Sequence, residues 1–194
     1  MQPRIPRQSA QEQDRRRPDA AADDARLSDE LAAVISGARR RAVRDGDRQI
    51  DTAHLLHSLL EHDRDVYAVF GEGPQIARLL GYLVQRTIGY GLRWQGSVED
   101  SGGVPVVMEG EGFSPLAANA MEYACRRATS RGDTRARGID LLAAIVVDPQ
   151  ARAVEVLARA GIDANALRAR IDENRDENRD ENRDEYVGGA ETAR

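Results

Sequence analysis

Apolar residues recur at helical spacing in two stretches of the chain that resemble each other. In residues 27–60 the first stripe falls at positions 31, 34, 35, 38 and 42, and in residues 113–146 it falls at 117, 120, 121, 124 and 128. Both follow the i, i+3, i+4, i+7 spacing of one helix face. The two stretches align without a gap at an offset of 86 residues. The sequence therefore predicts an internal repeat of helical units.

The same kinds of residue bound the first helix of each copy. Ser28 and Ser114 stand where an N-cap is expected, and Gly46 and Gly132 stand where each helix should stop. Three further helices are predicted in each copy. Their predicted caps or starting points are Thr52, Asp65 and Pro74 in the first copy, and Gly138, Ala151 and Asp163 in the second.

The predicted architecture is all-α, with eight helices arranged as two pseudo-symmetric four-helix repeats. The domain covers residues 26–171, with repeat one at 27–88, a glycine-rich connection at 89–112 and repeat two at 113–171. Residues 1–25 are polar and lack an apolar period, which is typical of a disordered tail.

The remaining segment, 172–194, is a charged low-complexity tail. Its repeated DENR unit would stack like charges at i,i+4 on a helix. We therefore expect the helix that ends near Ile171 to fray into it, and a solubilising repeat is favoured over a functional acidic tail. In the connection, Trp94 and Tyr90 either cover the core or form an exposed ligand anchor, and the sequence favours neither reading.

Composition narrows the classes of function. Charged residues make up 31% of the 194 residues and the formal net charge is −5, which argues against nucleic acid as the main partner. The single cysteine, Cys125, excludes an internal disulfide framework and fits a reducing compartment. No apolar run approaches the roughly 20 residues of a membrane span, and the N-terminus has no apolar signal region. We expect a cytoplasmic protein without a membrane or nucleic-acid partner.

Motifs in both copies resemble one known family. In chain order they are LSDELA and FSPLAA, then GDRQIDTAHLLHSLL and GDTRARGIDLLAAIV, then AGID at 160–163. Together they resemble the Clp N-terminal (Clp repeat) domain, the substrate- and adaptor-docking module at the front of the ClpA, ClpC and ClpB unfoldases. The resemblance covers about residues 27–171. Because the sequence contains no G-x-x-x-x-G-K-[ST] phosphate loop, it resembles the docking domain as a stand-alone protein without the ATPase modules.

The resemblance implies a ligand surface where the first helices of the two repeats meet across the pseudo-twofold axis. Cyclic peptide antibiotics dock there in the actinobacterial ClpC members. The corresponding residues in this sequence are Phe113, Met121 and Glu122 in repeat two and Ala32, Ile35 and Arg39 in repeat one. Leu27 replaces the aromatic residue of the first repeat, so we expect such a groove to be altered in its polar contacts.

A second site that the resemblance implies is altered here. Family members recognise phosphorylated arginine through a glutamate in each T-E-H motif, and this sequence has Ala53 and Ile139 at those positions. A methyl or butyl group cannot replace a carboxylate that forks onto a guanidinium. We therefore expect phospho-arginine binding at these positions to be lost or very weak.

Other reactive residues are more simply explained as structural. His54, His57 and His62 with Glu61 suggest a metal site, but no ligand from another helix is visible, and His54 falls at the structural histidine of the family. Cys125 has no histidine placed to act as its base. The arginines at 39–41 and 126–127 are typical of the solvated face of an amphipathic helix. We expect no catalytic residue, no metal site and no cofactor.

Two classes of function remain open. The leading hypothesis is a non-enzymatic Clp-like docking protein that competes for adaptors and substrates or sequesters a peptide ligand, and so modulates Clp proteolysis. The alternative is a helical scaffold or regulator of an unrelated partner, with Clp ancestry only, bound through residues 89–112 or a tail and insensitive to mutation of Phe113. An enzyme is the weakest option, because no nucleophile–base pair, metal set or phosphate loop is visible.

Overall fold

Eight helices make up most of the described part of the chain. The computed structural model describes residues 25–71, 73–87, 99 and 112–174, so the predicted tails and connection lie largely outside it. The helices are α1 (Asp29–Asp45), α2 (Thr52–His62), α3 (Arg64–Phe70), α4 (Pro74–Thr87), α5 (Pro115–Ser130), α6 (Gly138–Val147), α7 (Arg152–Arg159) and α8 (164–174). The predicted all-α class with four helices per repeat is confirmed. None of these helices has the length and hydropathy needed to cross a bilayer.

The predicted ends of the first helices are confirmed. The hydroxyls of Ser28 and Ser114 each accept a hydrogen bond from the backbone N–H three residues on, at 3.1 and 3.2 Å. Gly46 and Gly132 follow α1 and α5 with φ of 74° and 85°, a left-handed conformation that a side chain would strain. The cap predicted for α8 is also present, because Asp163 accepts a hydrogen bond of 2.7 Å from the backbone N–H of the third residue on.

Two predicted caps are wrong. Asp51, not Thr52, caps α2: its carboxylate accepts a hydrogen bond from the His54 backbone N–H at 2.9 Å, and His54 Nδ1 accepts one from the Asp51 N–H at 3.1 Å. Asp63, not Asp65, caps α3. In both cases an aspartate stands directly before the helix in extended backbone. From there its carboxylate reaches the free N–H groups of the first turn, which a residue inside the helix cannot do.

The two repeats exchange backbone hydrogen bonds in pairs related by the repeat offset. Ser28 N donates to Ala136 O, and Ser114 N donates to Ile50 O, both at 2.8 Å. Ala136 N and Ile50 N donate in turn to the carbonyls of residues 26 and 112, at 2.8 and 2.6 Å. Each repeat therefore donates the same two hydrogen bonds that it accepts, as two copies do across an isologous interface. The hydrogen bonds thus carry the pseudo-twofold relation predicted from the sequence.

These crossings bring the start of the first helix of each repeat next to the start of the second helix of the other repeat. Leu27, before α1, pairs with Ala136 beyond the end of α5, and Phe113, before α5, pairs with Ile50 beyond the end of α1. α1 packs mainly on α2, and α5 packs mainly on α6. α2 and α6 are buried over most of their length and contact each other, which is expected of helices that are apolar on most faces.

Candidate binding surface

The residues predicted to form a ligand surface all lie on or beside α1 and α5. We call this surface the α1–α5 seam: Ala32, Ile35 and Arg39 on α1, Phe113 before α5, and Met121 and Glu122 on α5. Ile35 and Met121 occupy equivalent positions in the two repeats, and both are half-buried and packed against the core. Phe113 and Ala32 are also half-buried. The apolar members are thus held by the core while part of each remains accessible, as a contact surface requires.

The two charged members of the seam are exposed. Glu122 forms an ion pair with Arg126 one turn further along α5, and the Arg126 guanidinium lies 6.0 Å from the centroid of the Tyr123 ring. On α1, Arg39 belongs to a shallow depression of about 460 Å³. The other residues of this depression are Ser36, Arg40 and Val43. The outer face of α1 is therefore basic, whereas α5 carries both signs of charge.

The positions of the family's phospho-arginine glutamates offer no carboxylate. Ala53 is fully buried in α2, and Ile139 is half-buried against the core at the start of α6. Their neighbours His54 and Asp140 are the polar residues at these helix starts, and both are held in capping interactions. Nothing at either position can form the bidentate contact that a guanidinium requires. Loss of phospho-arginine binding stays a prediction.

A cleft of about 310 Å³ lies against α5 and α6 and was not predicted from the sequence. Leu116 and Ile145 contribute apolar surface to it, and Tyr123 is 37% exposed beside it. The equivalents of Tyr123 and Ala144 in repeat one are Gly37 and Ser58. There the helices approach so closely that a Cβ on Gly37 would collide with Ser58 Oγ. The exchange of glycine for tyrosine between the copies was the signal in the sequence for this difference.

Glu99 is a buried carboxylate that sequence reasoning missed. It is 4% exposed and accepts hydrogen bonds from Thr52 N at 2.9 Å, Arg152 N at 2.7 Å and Ser114 Oγ at 2.7 Å, as well as from the Thr52 hydroxyl. These groups belong to the N-termini of α2, α7 and α5, where unpaired N–H groups and the helix dipole favour an anion. One carboxylate from the connection therefore joins three helices of both repeats.

A polar cluster in repeat two is built around Asp140. This residue is fully buried, and it accepts hydrogen bonds from the Arg137 backbone N–H at 3.0 Å and from two nitrogens of the Arg131 guanidinium, one of them at 2.8 Å. Arg131 also donates to Asp133 at 2.8 Å. These hydrogen bonds, from Asp140 first and Asp133 second, raise the pKa of Arg131 above its usual range. A fixed cation thus bridges two carboxylates at this turn.

The equivalent turn of repeat one carries a different set of charges. Asp45, Asp47 and His54 stand at the positions of Arg131, Asp133 and Asp140. His54 Nε2 lies 3.6 Å from Asp45 Oδ2 and 3.3 Å from Asp47 Oδ2. The two turns share their backbone arrangement, but the arginine of one is a carboxylate in the other.

The remaining histidines do not converge with His54. His57 Nε2 lies 3.7 Å from Glu61 Oε1, and His62 Nδ1 lies 3.0 Å from the Ser58 carbonyl oxygen. Glu61 itself forms an ion pair with Arg41. Burial, followed by the charge of Arg41, lowers the pKa of His57 to about 4, so this ring is neutral at pH 7. Among the described residues, the three histidines and Glu61, which the sequence favours as structural residues, do not meet in one cluster of possible metal ligands.

Comparison with known proteins adds a finding about the fold. No family model matches the chain, and no curated protein matches it. The N-terminal domain of the caseinolytic protease associated chaperone ClpD from Arabidopsis thaliana is similar in structure, with a TM-score of 0.55 at 20% identity over 75% of this chain and 92% of that one. A structure from preliminary investigations of a malarial protein secretion system has a TM-score of 0.53 at 14% identity, over 76% and 93%.

The described helices define a class of fold. Two four-helix repeats that exchange backbone hydrogen bonds form one all-helical domain. This is the fold of the Clp N-terminal domain, as the repeated motifs indicated. At these identities the likeness extends to the fold.

Proposed function

We propose that this chain is a non-enzymatic binding protein that docks protein segments or peptides at the α1–α5 seam. The observation that carries the proposal is that Ile35 on α1 and Met121 on α5 lie half-buried against the core at equivalent positions of the two repeats. Apolar side chains held by the core but still accessible provide contact area at little cost in conformational entropy. The fold is shared with the N-terminal domain of a Clp-associated chaperone, which supports the same kind of role.

The charges around the seam suggest what it binds. Arg39 is exposed on the α1 side and Glu122 on the α5 side, so a ligand with one apolar side chain between an acidic and a basic group would be complementary. Such a ligand is a peptide or an unstructured protein segment. Adaptors and substrates of Clp unfoldases, and peptides directed at those unfoldases, are the candidates that the fold favours. Phospho-arginine is not among them, because Ala53 and Ile139 lack carboxylates.

A docking domain of this kind would act on Clp proteolysis by mass action. If it binds the same adaptor or peptide as an unfoldase, it lowers the free concentration of that ligand in proportion to its own abundance and affinity. No catalytic step is needed. The effect then has one strict requirement, which is an affinity comparable to that of the competing unfoldase.

A reconstituted degradation assay tests this role. Adding the full chain in excess should slow degradation of an adaptor-delivered substrate by a Clp unfoldase and its protease, while degradation of an adaptor-independent substrate continues. Met121→Ala should weaken the inhibition at least about 5-fold, since removing an anchor from the centre of an interface costs 1 kcal/mol or more. Val84→Ala on α4 is the matched control, because Val84 is 52% exposed and far from the seam in the chain.

Two outcomes would contradict the proposal. The first is an absence of inhibition at a tenfold molar excess of the chain over the unfoldase. The second is inhibition that Met121→Ala and Val84→Ala change equally. That second result would instead favour the scaffold alternative, in which a partner binds elsewhere on the chain.

A further inference from the structure

The turn between α1 and α2 brings three metal-ligating side chains together. Asp45 is the last residue of α1, Asp47 follows Gly46, and His54 lies in the first turn of α2. The left-handed conformation of Gly46 reverses the chain, so that both carboxylates approach the imidazole. One ligand atom from each of the three residues lies within 4.8 Å of the others. The carboxylates are mostly enclosed, with side chains 8% and 24% exposed.

His54 provides an independent sign that a ligand belongs there. The residue is 1% exposed, and its Nε2 forms no hydrogen bond with any described group, although two carboxylate oxygens lie within 3.6 Å of it. Leaving a buried polar atom without a partner is costly, so such atoms are rare in folded proteins. A cation bound by Asp45 and Asp47 would give this nitrogen a partner.

In repeat two, a side chain of the protein places a cation at the equivalent turn. At the equivalent turn, the guanidinium of Arg131 bridges Asp133 and Asp140. In repeat one the residue at that position is Asp45, a third ligand in place of a cation. Only the charge at the position of Arg131 is thus reversed, and a cation between these side chains would take the place that the guanidinium has in repeat two.

We propose that Asp45, Asp47 and His54 bind a first-row divalent metal ion of the Zn²⁺ type. Zn²⁺ binds imidazole nitrogen at about 2.0–2.1 Å and carboxylate oxygen at about 2.0–2.2 Å. Tetrahedral ligands at those lengths stand about 3.3 Å apart. The separations of 3.3 and 3.6 Å from Nε2 are close to this spacing. One nitrogen and two oxygens suit Zn²⁺ better than Mg²⁺ or Ca²⁺, which prefer six or more oxygen ligands.

On the other side of the ring, metal binding requires a change of tautomer. His54 Nδ1 accepts a hydrogen bond from the Asp51 N–H, which places the proton of the neutral ring on Nε2. Metal binding at Nε2 displaces that proton, the ring then carries its one proton on Nδ1, and the Asp51 N–H gives up Nδ1 as its acceptor. Asp51 Oδ1 lies 2.9 Å from Nδ1 and accepts the ring proton. A carboxylate behind a metal-bound histidine fixes the tautomer and raises the basicity of the ligand.

The chain offers few competing sites, which makes the proposal testable. The full sequence, which the experiment uses, contains only three histidines and one cysteine. Isothermal titration of the full chain with ZnCl₂ should show one site, and Asp47→Asn should weaken it at least about 10-fold. Asp133→Asn is the matched control: it lies at the equivalent position of repeat two and should change Zn²⁺ affinity less than about 2-fold. Mg²⁺ and Ca²⁺ should not compete at millimolar concentration.

Histidine NMR identifies the ligand atom directly. On addition of one equivalent of Zn²⁺, the Nε2 resonance of His54 should shift while those of His57 and His62 stay in place. The proposal is overturned if Zn²⁺ does not bind at 0.1 mM, if Asp47→Asn and Asp133→Asn have equal effects, or if the shifts occur at His57 and His62. Circular dichroism of each variant confirms that the helices are intact, so a loss of binding reports on the site.

Discussion

Replacing Glu99 with glutamine tests how one buried carboxylate holds the two repeats together. Each of its oxygens accepts one bond from a backbone N–H and one from a hydroxyl: Oε2 from Thr52 N and Ser114 Oγ, and Oε1 from Arg152 N and Thr52 Oγ1. Glutamine keeps one oxygen and presents an NH₂ group in place of the other. A hydroxyl can rotate to accept from that NH₂, but a backbone N–H cannot.

The cost follows from this pairing. Whichever way the amide is turned, one backbone N–H is left buried without an acceptor, at about 1–3 kcal/mol. The two bonds that remain lose the assistance of the charge, at about 0.5–1 kcal/mol each. Glu99→Gln should therefore lower the free energy of unfolding by about 2–5 kcal/mol. With a urea m-value of about 2 kcal/mol/M, the midpoint should fall by about 1–2.5 M.

Urea unfolding followed by circular dichroism measures the change. Glu155→Gln on α7 is the control, because Glu155 forms a solvent-accessible i,i+4 pair with Arg159 that is worth about 0.5 kcal/mol or less. If the two variants lose the same stability within about 0.5 kcal/mol, Glu99 does not bind the helix N-termini as described. An unchanged m-value would show that the loss comes from the native state and not from a change in the unfolded chain.

Two further predictions concern α1 and α2. Gly37→Ala should destabilise the chain by about 1–2 kcal/mol, since the collision of its Cβ with Ser58 Oγ outweighs the better helix propensity of alanine. Adding Ser58→Ala should recover part of the loss, and a urea double-mutant cycle that finds no coupling between the two positions would refute this. Stability should fall as the pH drops from about 6.5 towards 4, because the unfolded chain protonates His57 in a range where the folded chain, with a His57 pKa of about 4, does not. In His57→Gln that slope, about 1.4 kcal/mol per pH unit at most, should disappear from unfolding curves measured across the same range.

Most of the fold could be predicted because its signals are local and occur in both repeats. The apolar stripes, the serine caps and the glycine stops each depend on residues within one or two turns, and agreement between the copies removed chance matches. The errors were local as well. Asp51 and Asp63 cap their helices in place of Thr52 and Asp65, because a residue's ability to cap depends on the backbone conformation just before the helix, which the side-chain pattern does not fix.

The polar contacts between distant segments could not be predicted in the same way. Glu99 lies in a stretch without helical period, 47 residues from Thr52 and 53 from Arg152, and nothing in its neighbourhood marks it as buried. The cluster at His54 is more local in the sequence. Its three members lie within ten residues, but helical spacing groups His54 with residues further along α2. The turn at Gly46 brings the carboxylates in from the other side.

The doubled backbone and the unlike side chains together limit how a ligand can bind. The crossings at Leu27 and Phe113 are equivalent in the two repeats, so the seam has a nearly twofold frame. The side chains nearby do not follow this twofold symmetry. Gly37 faces Ser58 in one repeat, whereas Tyr123 stands beside an open cleft in the other. A twofold-symmetric ligand would meet unlike contacts at its two ends and gain nothing from its symmetry. A peptide, which has a direction, can match both sides at once, and it would therefore bind one to a chain in a single orientation.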